Sequence, residues 1–402
     1  MLQCRIRVRK LQSGQCGAGR PKPSPDSAFG AINLLKRPAI RVINCRSARE
    51  NSLEIFSEEA GMPDRLILHA ELQEFRAGKP ASYPDQTVYA AYACAEFGLG
   101  FDGIDGGTGL AFRVASQTKA VYFGAGRCSW YPQNNATAAT LASDKYFANR
   151  VLEDAGVATL GGDYFFLSAR HRALRPEGHE RKDAFEYLGT LNGSAFLKPL
   201  TGSRGDFAQA IESEAALDRY LDDASLYYDA VLMQPVAIGL EYRIFLLDDE
   251  VIYSARKFPP ALEGDGTSPA RDLLVAHNAS LKSRGLSAVD PAAISEADLD
   301  KILPAGERWE IPGRTNLSAG GRMAFASPNS DALTMAREAV RALGLRAAAV
   351  DLFVDLGGNP QSVAIIEVNS NPSIRLLEEL QRPDLILKIW RHSFSAVGLL
   401  VE

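Results

Sequence analysis

Between Ala347 and Pro372 the chain reads AAAVDLFVDLGGNPQSVAIIEVNSNP, and this stretch limits the folds open to it more than any other. Two apolar runs of strand-like composition, Ala347 to Val354 and Val363 to Val368, flank a Gly, Asn, Pro, Gln and Ser segment suited to a turn. Glu367 and Asn369, two apart on an extended chain, share a face, and pairing of the runs brings Asp351 towards Glu367. Three oxygen-bearing side chains on such a platform are hard donors suited to Mg²⁺ held partly by nucleotide phosphates. A second reading makes Asp351 and Glu367 strand-end acids facing water.

With 402 residues and 46% hydrophobic content, the chain can bury cores for two or three domains. Its 44 basic and 49 acidic residues leave a formal charge of −5, which gives no reason to expect a nucleic-acid partner. Cys4, Cys16, Cys45, Cys94 and Cys128 are odd in number and form no C-x-x-C pair, so the expectation is a reducing cytoplasm without structural zinc. The basic N-terminal region lacks an apolar core, and no apolar run approaches the length of a membrane span, so neither export nor a membrane is expected.

Cys4 to Leu11, Ala39 to Cys45 and Arg65 to Leu72 read as short strands, and Tyr89 to Phe97 as a helix. The following FDGIDGGTG lacks the spacing of a dinucleotide fingerprint and reads as a turn. From Ser143 the pattern turns helical, with Ser143 or Asp144 as cap and Gly156 as stop. Lys145 then lies in the first turn, either as an ordinary exposed lysine or as one that meets phosphate beside free N–H groups. Ala195 to Leu197 is strand-like and places Lys198 near a strand end. Thr201 to Gly205 is either a surface turn or an anion-binding loop leading to a helix near Asp206, and it is not a P-loop. Tyr242 to Leu247 and Val251 to Ala255 form a hairpin, with Arg243 on one face and Arg256 or Lys257 emerging near the end of the second strand. Helices are expected at Asp272 to Lys282, Ser295 to Ile302, Asp331 to Leu343 and Leu380 to Phe394.

Taken in order, ASDKYFANRVLEDAGV, FLKPLTGSRGD, VLMQPVAIGLEYRIFLLDDEV, TNLSAGG, Asp351 and IIEVNSNP resemble the ATP-grasp superfamily of carboxylate–amine ligases. The resemblance is greatest to the ATP-grasp modules of cyanophycin synthetase and bifunctional glutathione synthetase, and it covers about Val121 through Arg375. It implies an α/β chain with α+β elements: a preATP-like substrate domain over 1–140, a central ATP-grasp subdomain with a lid loop over 141–235, and a C-terminal subdomain carrying the magnesium site over 236–402. Lys145 and Lys198 resemble the two lysines that reach ATP. Gly202, Ser203, Arg204 and Gly205 resemble the lid over the triphosphate. Gln234, Pro235, Val236 and Ala237 occupy the adenine-reading hinge, where many relatives have an acid in place of Gln234, and Glu241 matches the ribose acid. Arg243 and Arg256, with Lys198, are the catalytic candidates for phosphate or acyl-phosphate contacts. Asp351, Glu367 and Asn369 resemble ligands of Mg²⁺, two ions being expected. By position, Arg127, Trp130, Tyr131, Asn134, Asn135 and Asn316 are candidates to face the substrate.

The activity implied is ATP-dependent joining of an amino-acid or small-peptide carboxylate to an amino-acid amine through an acyl phosphate. No second ligase domain is recognisable, so a single ligation is expected rather than polymerisation. Modification of a protein or peptide terminus and a non-catalytic ATP-binding regulator are the alternatives. Small-molecule substrates are the expected partners, and a homo-oligomer is left open.

Overall fold

The computed structural model describes residues 65–124, 129–202, 205–283, 288–289, 291, 294–311 and 320–401. The strands expected at Cys4 to Leu11 and Ala39 to Cys45 lie outside these residues. Residues 65–72, expected as a strand, instead open helix α1 (Arg65–Arg76). Leu68 and Leu72 are its buried residues, and their four-residue spacing follows the helical period. Helix α2 (Asp85–Glu96) follows and leads into an antiparallel three-stranded sheet of β1 (Gly100–Gly103), β2 (Ala111–Ala115) and β3 (Ala120–Gly124). The glycine-rich segment between β1 and β2 is a turn closed by the Asp105 carboxylate, which accepts N–H groups of Gly107, Gly109, Leu110 and Ala111. Helix α3 (Ala136–Ser143) is capped by Asn135 and α4 (Lys145–Asp154) by Asp144, so Lys145 is the first residue of its helix.

A second sheet is built from β4 (Asp163–Phe166), β5 (Ala195–Pro199), β6 (Gln209–Ile211) and β7 (Ala230–Gln234), in the antiparallel order β4-β7-β5-β6. Leu197 and Met233 point to the face covered by α5 (Arg181–Thr190) and α6 (Glu214–Ser225). Period-two alternation therefore turns Lys198 and Gln234 to the other face. No helix starts near Asp206. Gln209–Ile211 pairs with β5 instead, and Ser213 delays the helix to Glu214 by accepting the Ala216 N–H.

The third sheet has the order β12-β9-β8-β13-β14, with all neighbours antiparallel. Its strands are β8 (Leu240–Leu247), β9 (Glu250–Phe258), β12 (Arg322–Phe325), β13 (Ala347–Leu356) and β14 (Asn359–Asn369). Between β9 and β12 the chain makes an excursion through β10 (Ala261–Glu263), α7 (Ala270–Ser283), the short α8 (Glu296–Leu299) and β11 (Arg308–Glu310), which has its own core around Leu262, Leu274 and Leu303. The sheet is covered on both sides. Tyr242, Ile244, Val350 and Leu352 pack with α3, α4 and α9 (Ser330–Leu343), whose Ala332, Ala336 and Ala339 allow close approach. Phe245, Tyr253, Ala347 and Ala349 pack on the other face with α2, the first sheet, α10 (Arg375–Glu379) and α11 (Pro383–Ala396). Pro383 starts α11, where a missing N–H costs nothing.

One glycine fixes how the second sheet is entered. Gly162 has φ +106°, and a Cβ there would lie 2.5 Å from the Met233 carbonyl oxygen and 2.7 Å from Gln234 Cγ. Gly162→Ala is expected to lose about 1–3 kcal/mol, measurable by urea unfolding.

Candidate functional site

The face of the third sheet that carries Phe245 and Ala349 changes character along its strands. Beyond the apolar end, β8 presents Arg243 and Glu241, and β13 presents Asp351 opposite Arg243. Arg243 donates from Nε and Nη2 to the two oxygens of Asp351, each at 2.7 Å. Lys257 on β9 donates to Asp351 Oδ2 at 2.9 Å and also to Glu241 Oε1. Asp351 and Lys257 side chains are only 1% and 4% exposed, so these charges depend on one another. Burial pushes the Asp351 carboxyl up, but Arg243 and Lys257 outweigh it and hold the group well below its usual range. Burial lowers the proton affinity of Lys257, and Asp351 and Glu241 more than restore it.

Lys257 holds this position because of a β-bulge. Leu246 faces Val251 whereas Phe245 faces Tyr253, so Ile252 is an extra residue in β9. The shift sets Tyr242 opposite Arg256 and turns Lys257 to the side of Glu241. Arg256 lies on the opposite face, its guanidinium 4.9 Å from the centre of the Phe258 ring. The structure therefore brings Arg243 to the acids but not Arg256. Lys257 takes the place among the acids that the catalytic candidate Arg256 was expected to hold, because an ungapped count round the hairpin sets Arg256 opposite Glu241.

On β14, Glu367 stands opposite Asp351, and Asn369 Nδ2 donates to Glu367 Oε1 at 3.2 Å. A second bulge makes Ile366 the extra residue of β14, and its carbonyl accepts Lys198 Nζ of the second sheet at 3.2 Å. Burial, assisted by the nearby Lys145, outweighs Glu367, Asp351 and Glu241 and brings the pKa of Lys198 down to about 8. Lys145 reaches the same field: burial lowers its proton affinity, and Glu367 and Asp144 oppose the change. Its Nζ donates to the Gly202 carbonyl at 3.1 Å. At the end of β7, Gln234 donates to the Gly161 carbonyl at 2.6 Å, while its Oε1 is buried with no hydrogen-bond partner. Pro235, Val236 and Ala237 form the irregular link to β8, with Val236 exposed.

Other sequence candidates are taken up by the fold. Trp130 lies in the core stacked towards Phe112, and its backbone N–H donates to Asn371 Oδ1 at 2.9 Å. Tyr131 is buried and donates to the Pro372 carbonyl at 2.9 Å. Asn134 uses its full amide capacity: Nδ2 donates to the carbonyls of Ala347 and Ser370, and Oδ1 accepts the N–H groups of Arg346 and Ala347. Asn135 caps α3. Arg127, Ser203, Arg204 and Asn316 lie outside the described residues, which do include Gly202 and Gly205.

Among the described residues, no group of three or more His, Cys, Asp or Glu side chains is placed to hold a metal ion. The donors at hand are two carboxylates and an amide. Asp351 Oδ1 accepts one N–H and Oδ2 accepts two, leaving one of about four lone-pair sites on this carboxylate. With half-buried Glu367 and Asn369 beside it, the set consists of hard oxygens and fits a Mg²⁺ ion that takes its remaining ligands elsewhere.

No family model matches the chain. It is 24% identical over 269 residues to the bifunctional glutathione biosynthesis protein of Enterococcus faecalis, covering 61% of this chain and 34% of the relative. It is 24% identical over 259 residues to cyanophycin synthetase of Trichormus variabilis, covering 59% and 27%. The chain is related to the ATP-grasp superfamily. This relationship is at low identity, and the chain spans between about a quarter and a third of the length of the curated relatives it matches. A bifunctional glutathione synthetase from Pasteurella multocida is a similar solved structure, with a TM-score of 0.47, 16% identity, and 75% and 44% of the two chains covered. Among the described residues no helix is long and apolar enough to cross a membrane.

Proposed function

We propose that this ATP-grasp relative is an ATP-dependent carboxylate–amine ligase that activates a carboxylate as an acyl phosphate and transfers the acyl group to an amine. The observation that carries this reading is the junction of two sheets: Lys198 from one is buried against β14 of the other, within the field of Glu241, Asp351 and Glu367. Such an arrangement suits a polyphosphate drawn between cations on one side and metal-ligating oxygens on the other. Gln234 Oε1, a buried acceptor without a partner, suits an exocyclic amine at the hinge.

In this reading Lys198 and Lys145 bind phosphate oxygens, and Glu241 takes the ribose hydroxyls. Asp351, Glu367 and Asn369 would hold Mg²⁺. When bound, Mg²⁺ supplies Lewis-acid neutralisation of the phosphate charge. A carboxylate resists attack because its charge is delocalised and its oxygen leaves poorly. A carboxylate oxygen of the donor takes the γ-phosphoryl group and ADP leaves. The amine then attacks the acyl carbon, and phosphate departs with the former carboxylate oxygen. Arg243 stays protonated and acts through its charge rather than as a base.

The test is a panel of amino-acid, dipeptide and peptide acceptor pairs, followed by ATP-dependent phosphate release and product mass. A pair-dependent mass equal to the two substrates less water supports the reading. ATP binding without ligation across the panel would move it to a non-catalytic nucleotide-binding protein.

Lys198→Ala is expected to weaken ATP binding about 10- to 100-fold, the loss of a charge-assisted contact, as measured by calorimetry. The pH dependence has a definite sign. With the Lys198 pKa brought down to about 8, the ammonium is present below that pH and lost above it. ATP affinity should therefore fall as pH rises through 8, and binding near pH 8 should take up protons. Calorimetry in buffers of different ionisation enthalpy checks the uptake, and its absence would contradict the placement of this lysine at the phosphates.

A further inference from the structure

Glu241, Lys257, Asp351 and Arg243 form one connected cluster across β9, β8 and β13, and Glu367 and Lys198 face it from β14 and β5. Within it, Lys257 is the group that spans two acids with separate assignments: the proposed ribose acid Glu241 and the proposed metal acid Asp351. Its position depends on the extra residue Ile252. As the chain stands, the two acids are matched by the Arg243 guanidinium and the Lys257 ammonium. A divalent cation entering alone would add charge to a cluster already neutralised, beside a buried ammonium bound to the very carboxylate it needs. Phosphates arriving with it would cancel that excess and give the ammonium another partner.

We propose that Lys257 is an internal counter-cation that holds the ribose acid and the metal acid together and makes divalent-metal binding conditional on nucleotide. This rests on the nucleotide-site reading above and adds an order to it: bare metal is excluded, and metal with nucleotide is admitted. The side chain acts by occupying Asp351 Oδ2 and Glu241 Oε1, and it need not touch the reacting atoms. A single unscreened charge at contact distance in a partly buried site is worth enough to change affinity by about tenfold or more.

The test is Mn²⁺ binding to the full chain, followed by electron paramagnetic resonance of free Mn²⁺, with and without ADP. Wild type should bind Mn²⁺ about tenfold or more tighter with ADP than without it. Lys257→Met should bind Mn²⁺ without ADP about tenfold or more tighter than wild type does, and added Mn²⁺ alone should raise its melting temperature. Lys257→Arg, which keeps the charge, should retain the dependence on ADP. Equal wild-type Mn²⁺ affinity with and without ADP would overturn the proposal even if the Met variant does not fold. So would a folded Lys257→Met with unchanged nucleotide-free affinity. Failure of wild type to bind ADP at all would instead overturn the nucleotide reading on which the proposal stands.

Discussion

Replacing Asp351 with Asn is expected to destabilise the protein by about 3–5 kcal/mol at neutral pH, because buried Lys257 and half-buried Arg243 lose their shared counter-charge. Arg243 would keep one hydrogen bond, to the Asn carbonyl oxygen, and would face an NH2 donor where the second oxygen stood, and Lys257 would be left with Glu241 alone. The direction with pH follows from linkage. The folded-state pKa of Asp351 is depressed below its ordinary 3.8, so the stability it contributes is present above that value and is lost as pH falls below it. Urea unfolding at pH 7 should therefore separate wild type from Asp351→Asn clearly, and the gap should narrow below about pH 4. A variant as stable as wild type at pH 7 would show that the cluster contributes nothing net. Replacing Asp351, Arg243 and Lys257 together by apolar residues should cost less than the single change, since no charge is then stranded.

Glu367→Gln is expected to behave differently. Glu367 is half-buried and makes no ion pair among the described residues, so an isosteric amide should leave the fold intact. Turnover that depends on Mg²⁺ should nevertheless fall by on the order of a hundredfold or more, because a hard anionic donor is lost where phosphoryl charge must be neutralised. Circular dichroism and the unfolding midpoint check the fold, and ADP release against Mg²⁺ concentration checks the role. Near-normal turnover in a folded variant would remove Glu367 from the metal site. The two variants separate what the neighbouring strands do: Asp351 is tied into the interior, and Glu367 stands at its edge.

How much of this was legible in the sequence differs from element to element. The β13–β14 pair was readable because its apolar runs are long and its turn residues unambiguous, and the register sets Glu367 opposite Asp351 as the pairing argument expected. The β8–β9 hairpin was readable too, but which of Arg256 and Lys257 joins Glu241 was not. That choice is made by the bulge at Ile252, and Ile252 carries no glycine or other local mark of a bulge. Helix α1 was misread because Leu66, Ile67 and Leu68 give a short apolar run without a period. Leu72 then decides for the helix, once Leu68 and Leu72 are seen to be buried together. Asn134 and Trp130 illustrate another limit: a buried amide that brackets two strands and a core indole have the same composition as substrate-reading groups. Only their saturated hydrogen bonds and packing distinguish them.

The central claim is activation of a carboxylate by phosphoryl transfer, and it is tested most directly with a donor, found in the ligation panel, whose carboxylate carries ¹⁸O in both positions. The account predicts ADP and inorganic phosphate containing one ¹⁸O per turnover, with the second ¹⁸O retained in the amide product. Unlabelled phosphate, or release of AMP and pyrophosphate in place of ADP and phosphate, would contradict it.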